Sequence, residues 1–240
     1  MGTVLLLRHG LTGMTGPVLA GRTPGVGLDD RGNAQAIAAA ERLGAVALAA
    51  VVTSPLDRCA QTAKAVLAAQ RSAGRKPVSR SDKRLLECDY GDWTGGNIAK
   101  LAKDPLWKVV QANPSAVTFP AGESMAGMAA RAVRAIRDLD REFEETFGPD
   151  VVWLACSHGD VIKAIVADAL GLHLDQFQRI VADPCSVSAI RYTPGRPFVL
   201  TLNDTGGDPS RFVPPKTLKG HRRPRQTDAT VGGGAGSGAV

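Results

Sequence analysis

Arginine, histidine or both follow closely on an apolar run at three places in this 240-residue chain. Leu5, Leu6 and Leu7 lead into Arg8, His9 and Gly10. Val51 and Val52 lead through Ser54 and Pro55 to Arg58. Leu154, Ala155 and Cys156 lead into Ser157, His158 and Gly159. A guanidinium stays protonated and offers a planar fork of donors that fits phosphate oxygens. An imidazole among cations is disfavoured in its protonated form, so near pH 7 it keeps a free lone pair. Two arginines and two histidines in one crevice are therefore equipped for attack of a neutral imidazole on a phosphorus atom held by guanidiniums. A helix N-terminus after Ser54 would add donors and a favourable dipole. The leaving alkoxide then needs a proton, and Glu87, Asp89 and Asp92 in LLECDYGDW are the nearest acids in that pattern. Glu87 follows two leucines, and partial burial would raise its pKa and keep it protonated. Asp89 remains an alternative on this reading.

For these groups to meet, the strands that carry them must end at one edge. The pattern predicts a strand at 3–7, a helix over 30–43, a strand to Val52, and a helix with Ser54 as N-cap and Pro55 at its first position, running to about Gln70. A short strand is expected at 77–80 and a short helix near 97–111. Met125, Met128, Ala132, Ile136, Leu139 and Phe143 recur at three- and four-residue steps, which marks a long helix. A strand over 151–156, a helix over 161–170 and two closing strands in SVSAIRY and PFVLTLN complete the domain. This alternation predicts an α/β fold, a three-layer α/β/α arrangement with a mostly parallel sheet between helices. Ligands bind such sheets beyond the carboxyl ends of the strands. The catalytic domain is expected over 1–204. Residues 205–240, rich in Gly, Pro and basic side chains, read as a disordered tail.

Composition narrows the function further. The net charge of +6 divides unevenly: the tail holds six basic residues against Asp208 and Asp228, so 1–204 carries only +2. Scattered basic residues without interleaved aromatics do not make a nucleic-acid surface, and nucleic acid is not expected as a partner. No apolar run spans a membrane and no signal-peptide pattern opens the chain, so a cytoplasmic protein is expected. The four cysteines form no CxxC pair and are expected as thiols. His9, His158, His173 and His221 show no zinc spacing, and His173 and His221 sit in no motif.

The set RHG (8–10), SPLDR (54–58), LLECDYGDWTG (85–95), GES (122–124) and SHG (157–159) resembles the histidine phosphatase, or phosphoglycerate mutase-like, superfamily in order and spacing. The resemblance implies that fold. It implies His9 as the nucleophile that becomes phosphohistidine, and Arg8, Arg58 and His158 as holders of the phosphoryl oxygens. Glu87 would protonate the leaving group and later activate water. Gly10 and Gly159 would allow close backbone approach, and Gly21 and Arg22 would touch substrate. No metal or cofactor is implied, because the arginines neutralise the phosphate. The partner is a small phosphorylated metabolite, and homodimers are common in the family.

The chain departs from the family at three positions. Leu11 follows RHG where many members carry Glu, Gln or Asp. Thr15 stands where an Asn is frequent, and its hydroxyl can still donate to phosphate. Asp160 follows SHG where many relatives carry Gly, Ala or Asn, and a carboxylate there would repel a second anion, unless it pairs with a nearby cation or binds a sugar hydroxyl. Mutases of this family carry an adjacent arginine pair in a longer insert before GES. Residues 96–121 here are short, with three lysines and no arginine. A phosphatase of the histidine acid phosphatase type is therefore expected, with a phosphomutase as the alternative. Deleting 205–240 is expected to leave turnover of a small phosphoester nearly intact.

Overall fold

Leu6 and Leu7 point to opposite faces of one strand, and both are fully buried. A strand apolar on both faces belongs at the centre of a covered sheet. In the computed structural model, which describes residues 2–207, Gly232 and Gly234, that strand is β1 (Thr3–Arg8). The other strands are β2 (Ala50–Thr53), β3 (Val78–Ser81), β4 (Val152–Ser157), β5 (Val187–Arg191) and β6 (Phe198–Asp204). The six form one sheet in the order β3-β2-β4-β1-β5-β6. β1 to β4 pair in parallel, while β5 and β6 close the sheet antiparallel.

Helices cover both faces, as expected. Val4, Leu6, Val52, Trp153 and Ala155 pack on one face with α5 (Met125–Phe147) and α6 (Gly159–Ala169). Leu7, Val51, Leu154 and Cys156 pack on the other with α1 (Asp30–Leu43) and α2 (Asp57–Ser72). The three- and four-residue recurrence in α5 is its buried stripe, from Met125 to Phe143. Ser124 caps that helix by accepting from the Gly127 N–H at 3.0 Å.

The parallel register delivers the three motifs to one edge. Arg8 pairs with Ser157 and Thr53 with Cys156. The His9 N–H then donates to Ser157 O, and the Ser54 N–H to Cys156 O. Gly10 is needed where it stands because a Cβ there would lie 2.6 Å from the Gly32 carbonyl oxygen at the start of α1.

Two local expectations are corrected. α2 begins at Asp57, with Leu56 as an N-cap that makes no side-chain bond. Ser54 does not cap it, because its hydroxyl is taken by the His158 ring at 2.8 Å. The single helix expected near 97–111 is two: α3 (Ile98–Leu101) and α4 (Pro105–Ala112). Pro105 cannot continue a helix from the preceding turn, and Asp104 caps the second one through the Leu106 N–H. Of the segment read as a tail, 208–231, 233 and 235–240 lie outside the described residues.

Candidate active site

β1 ends in Arg8, whose guanidinium is turned inward and 2 % exposed for the whole residue. Its Nη1 donates to Ala182 O at 2.8 Å and its Nη2 to Gly234 O at 2.8 Å. His9 follows at the rim. The contact between His9 Nδ1 and the Gly10 carbonyl at 2.7 Å requires the proton on Nδ1, since a carbonyl only accepts. Nε2 therefore carries the lone pair, and Arg58 Nε donates to it at 3.2 Å. Burial, then the charges of Arg58 and Arg8, hold the His9 pKa well below its ordinary value of 6.5. The ring is held neutral and its free Nε2 faces the Arg58 guanidinium.

Arg58, on the first turn of α2, is the hub. Its Nη2 donates to Gly21 O at 2.7 Å and contacts His158 Nδ1 at 3.2 Å. Its Nη1 is buried with no hydrogen-bond partner. A buried guanidinium N–H without an acceptor is costly unless an anionic oxygen is to be bound there. His158 accepts from Arg58 at Nδ1 and donates through Nε2 to Ser54 Oγ. Burial, then Arg58, lowers its pKa far below 6.5. It buttresses Arg58 rather than lining the cavity.

Glu87 completes the group. It is 4 % exposed, and Oε1 accepts the Cys88 N–H at 2.9 Å. Burial, then the charge of Asp160, raises its carboxyl to about 7. Asp89 is instead paired with Arg22 at 3.2 Å, and Asp92 is exposed. The structure thus separates the three acids that the sequence left together, and only Glu87 stands at the cavity.

Arg8, His9, Thr12, Thr15, Gly21, Arg58, Glu87 and Tyr90 share one cavity of about 40 Å³, with Leu19, Ile98, Gly232 and Gly234 among its other walls. Of the residues expected to touch substrate, Thr15 and Gly21 line it. Thr15 Oγ1 accepts the Thr12 N–H at 3.0 Å, which folds the turn after RHG. Gly10, Arg22, Gly159 and Asp160 do not line it. Arg22 is spent on structure: it donates to Glu87 O, Asp89 and Glu123. Glu123, of the GES motif, also takes Arg131 and the Asp89 N–H. Arg131 further donates to the carbonyls of Arg84, Leu86 and Glu87. This brace fixes the loop that carries Glu87, and no local signal in the sequence singled out Arg131. Tyr90 and Thr12 were also missed; both are common residue types whose role depends on distant partners.

Gly232 and Gly234 bear on the tail. Gly234 O takes a donor of Arg8 that a phosphoryl oxygen would use. A chain ending at Gly207 is therefore expected to bind inorganic phosphate about threefold more tightly, at unchanged kcat. Inhibition by phosphate, compared between the two chains, checks this; weaker binding by the shorter chain would contradict it.

A buried imidazole kept neutral, two guanidiniums and a carboxyl raised to about 7 at the carboxyl edge of a parallel sheet fit phosphoryl transfer. The chain belongs to the histidine phosphatase superfamily (branch 1), whose family model matches residues 4–205. It is 32% identical over 178 residues to a glucosyl-3-phosphoglycerate phosphatase of Mycolicibacterium vanbaalenii, covering 72% of this chain and 76% of the relative. It is 27% identical to a probable phosphoglycerate mutase of Cronobacter sakazakii, covering 88% and 95%. The native structure of a mycobacterial glucosyl-3-phosphoglycerate phosphatase superposes with a TM-score of 0.73 at 26% identity, covering 84% of this chain and 98% of that one.

Proposed function

We propose that the protein is a cytoplasmic phosphomonoester hydrolase that acts on a small phosphorylated metabolite through phosphohistidine at His9. The observation that carries this reading is the His9 ring, protonated at Nδ1 against Gly10, with its free Nε2 beside the unpartnered Nη1 of Arg58. The Nε2 lone pair forms the bond to phosphorus as the ester P–O bond breaks. The departing alkoxide takes the Glu87 proton. Glu87, now a carboxylate, takes a proton from water; the oxygen attacks phosphorus, the P–N bond breaks, and its electron pair returns to Nε2. Arg8 and Arg58 stabilise the charge on the phosphoryl oxygens in both steps. His158 acts through Arg58.

The positive charge that a metal would supply is supplied by guanidiniums, and no metal enters this reading. No helix of the described residues is long and apolar enough to cross a membrane.

A phosphomutase, the second reading, must hold a second anion and exclude water. The lysines that could replace the missing arginines, Lys100, Lys103 and Lys108, are all exposed, and none lines the cavity. Hydrolysis is therefore favoured. The experiment is phosphate release from a panel of phosphorylated metabolites in excess EDTA, with 3-phosphoglycerate isomerisation followed alongside. Release at an unchanged rate in EDTA, without isomerisation, is expected. Isomerisation that needs a bisphosphate primer would make the protein a mutase, and loss of release in EDTA would bring a metal into the reaction.

A further inference from the structure

Asp160 is the second residue of α6, two positions after His158, and its exposure is 0 %. A helix N-terminus favours an acid, but an exposed acid in the first turn would gain that without desolvation. A buried carboxylate is costly unless donors surround it, so its partners decide what it can do here. Oδ2 accepts the Tyr90 hydroxyl at 2.8 Å and the Gly232 N–H at 3.0 Å. Oδ1 is buried with no hydrogen-bond partner. The nearest cation, Lys163 Nζ, stands 3.7 Å from it, donates to Gln178 Oε1 at 3.0 Å and lies over the Phe177 ring. Both donors to Oδ2 belong to residues that line the phosphoryl cavity. The carboxylate thus stands one hydrogen bond behind the cavity wall, and a donor from the cavity already reaches it.

We propose that Asp160 is a specificity-determining residue that accepts from a hydroxyl or ammonium on the substrate's leaving group and turns away a second anion. The proposal rests on the phosphatase reading and names its substrate class: monophosphate esters of polyols or amino alcohols. A hydroxyl or ammonium at this point takes the place of the Gly232 N–H and keeps Oδ2 satisfied. A carboxylate or second phosphate brings only acceptors to an acceptor oxygen and leaves Oδ2 without the donor it displaces. Lys163 Nζ pairs with Oδ1 at 3.7 Å and is itself held by Gln178 Oε1 and the Phe177 ring, so Oδ2, whose donors Tyr90 and Gly232 line the cavity, stays an acceptor. The same acceptor would work against a retained bisphosphate, in keeping with hydrolysis over phosphoryl isomerisation.

The test uses the full chain and four esters of one scaffold: 2-aminoethyl, 2-hydroxyethyl, n-propyl and 2-carboxyethyl phosphate. For the unaltered protein, kcat/KM for the first two is expected about tenfold above n-propyl phosphate, and for the last about tenfold below it. In Asp160→Asn the advantage of the ammonium over the methyl group falls about tenfold, and the penalty on the carboxylate disappears. Ratios within one protein cancel any change that the substitution makes in Glu87. A flat ranking in the unaltered protein overturns the proposal even if the variant does not fold. So does a ranking that Asp160→Asn leaves unchanged. If none of the four is hydrolysed and no acid-labile phosphoenzyme forms, the phosphatase reading itself fails and the proposal with it.

Discussion

Replacing His9 with alanine is expected to lower kcat on every phosphomonoester by about 10⁵-fold, because the reaction loses the atom that bonds to phosphorus. The loss should be uniform across leaving groups, since no step remains in which leaving-group quality can compensate. A rapid quench with labelled substrate should trap an acid-labile, base-stable phosphoenzyme in the unaltered protein and none in His9→Ala. The variant also leaves Arg58 Nε without the His9 acceptor it uses at 3.2 Å. Its thermal unfolding must therefore be followed in parallel, to separate a lost nucleophile from a collapsed site. Activity surviving at the level of the unaltered protein in a folded variant would remove His9 from the mechanism. The depressed His9 pKa has a further consequence. Turnover of esters with good leaving groups should not fall as pH drops through 6.5, because the ring stays neutral well below that value.

Replacing Glu87 with glutamine is expected to slow esters with poor leaving groups by about 10³-fold and p-nitrophenyl phosphate by less than about tenfold. A poor leaving group must be protonated as it departs, whereas p-nitrophenolate leaves unaided. An equal loss on both would move the acid to Asp89 or Asp92, against the ion pair of Asp89 with Arg22. The pH dependence has a definite sign. Glu87 must be protonated to act, and its carboxyl is raised to about 7. Turnover of poor leaving groups should therefore decline as pH rises through about 7, and Glu87→Gln should abolish that decline. Stability follows the same titration. Between the ordinary value of 4.5 and about 7 the folded chain binds more protons at Glu87 than the unfolded one, so stability is lost as pH rises across that window. The variant is expected to unfold at a higher temperature than the unaltered protein at pH 8, and to lose that advantage near pH 4.5.

The sequence by itself determined most of the elements and the residue types that meet at the candidate site. Leu5 to Leu7 running into Arg8 and His9 could be read because a strand buried on both faces tolerates charge only where it leaves the sheet. The spacing of Met125 through Phe143 could be read because a helix repeats its buried face every three to four residues. Such patterns are local, and local chemistry writes them directly. What only the tertiary structure decided are relations between distant residues. The register that pairs Arg8 with Ser157 is set across 148 intervening positions of chain by parallel strands and the helices that cover them. Ser54 looked like a helix cap and became the partner of His158, because packing at the sheet edge offered its hydroxyl a buried ring nitrogen before a helical N–H. Arg22 looked like a substrate contact and became part of the brace with Glu123 and Arg131. Glu87 was distinguished from Asp89 by which of them is buried and which is paired, and burial is a property of the packed chain. Asp160 was visible as a departure after SHG, but its use depends on Tyr90, Lys163 and Gly232, which only folding brings to it.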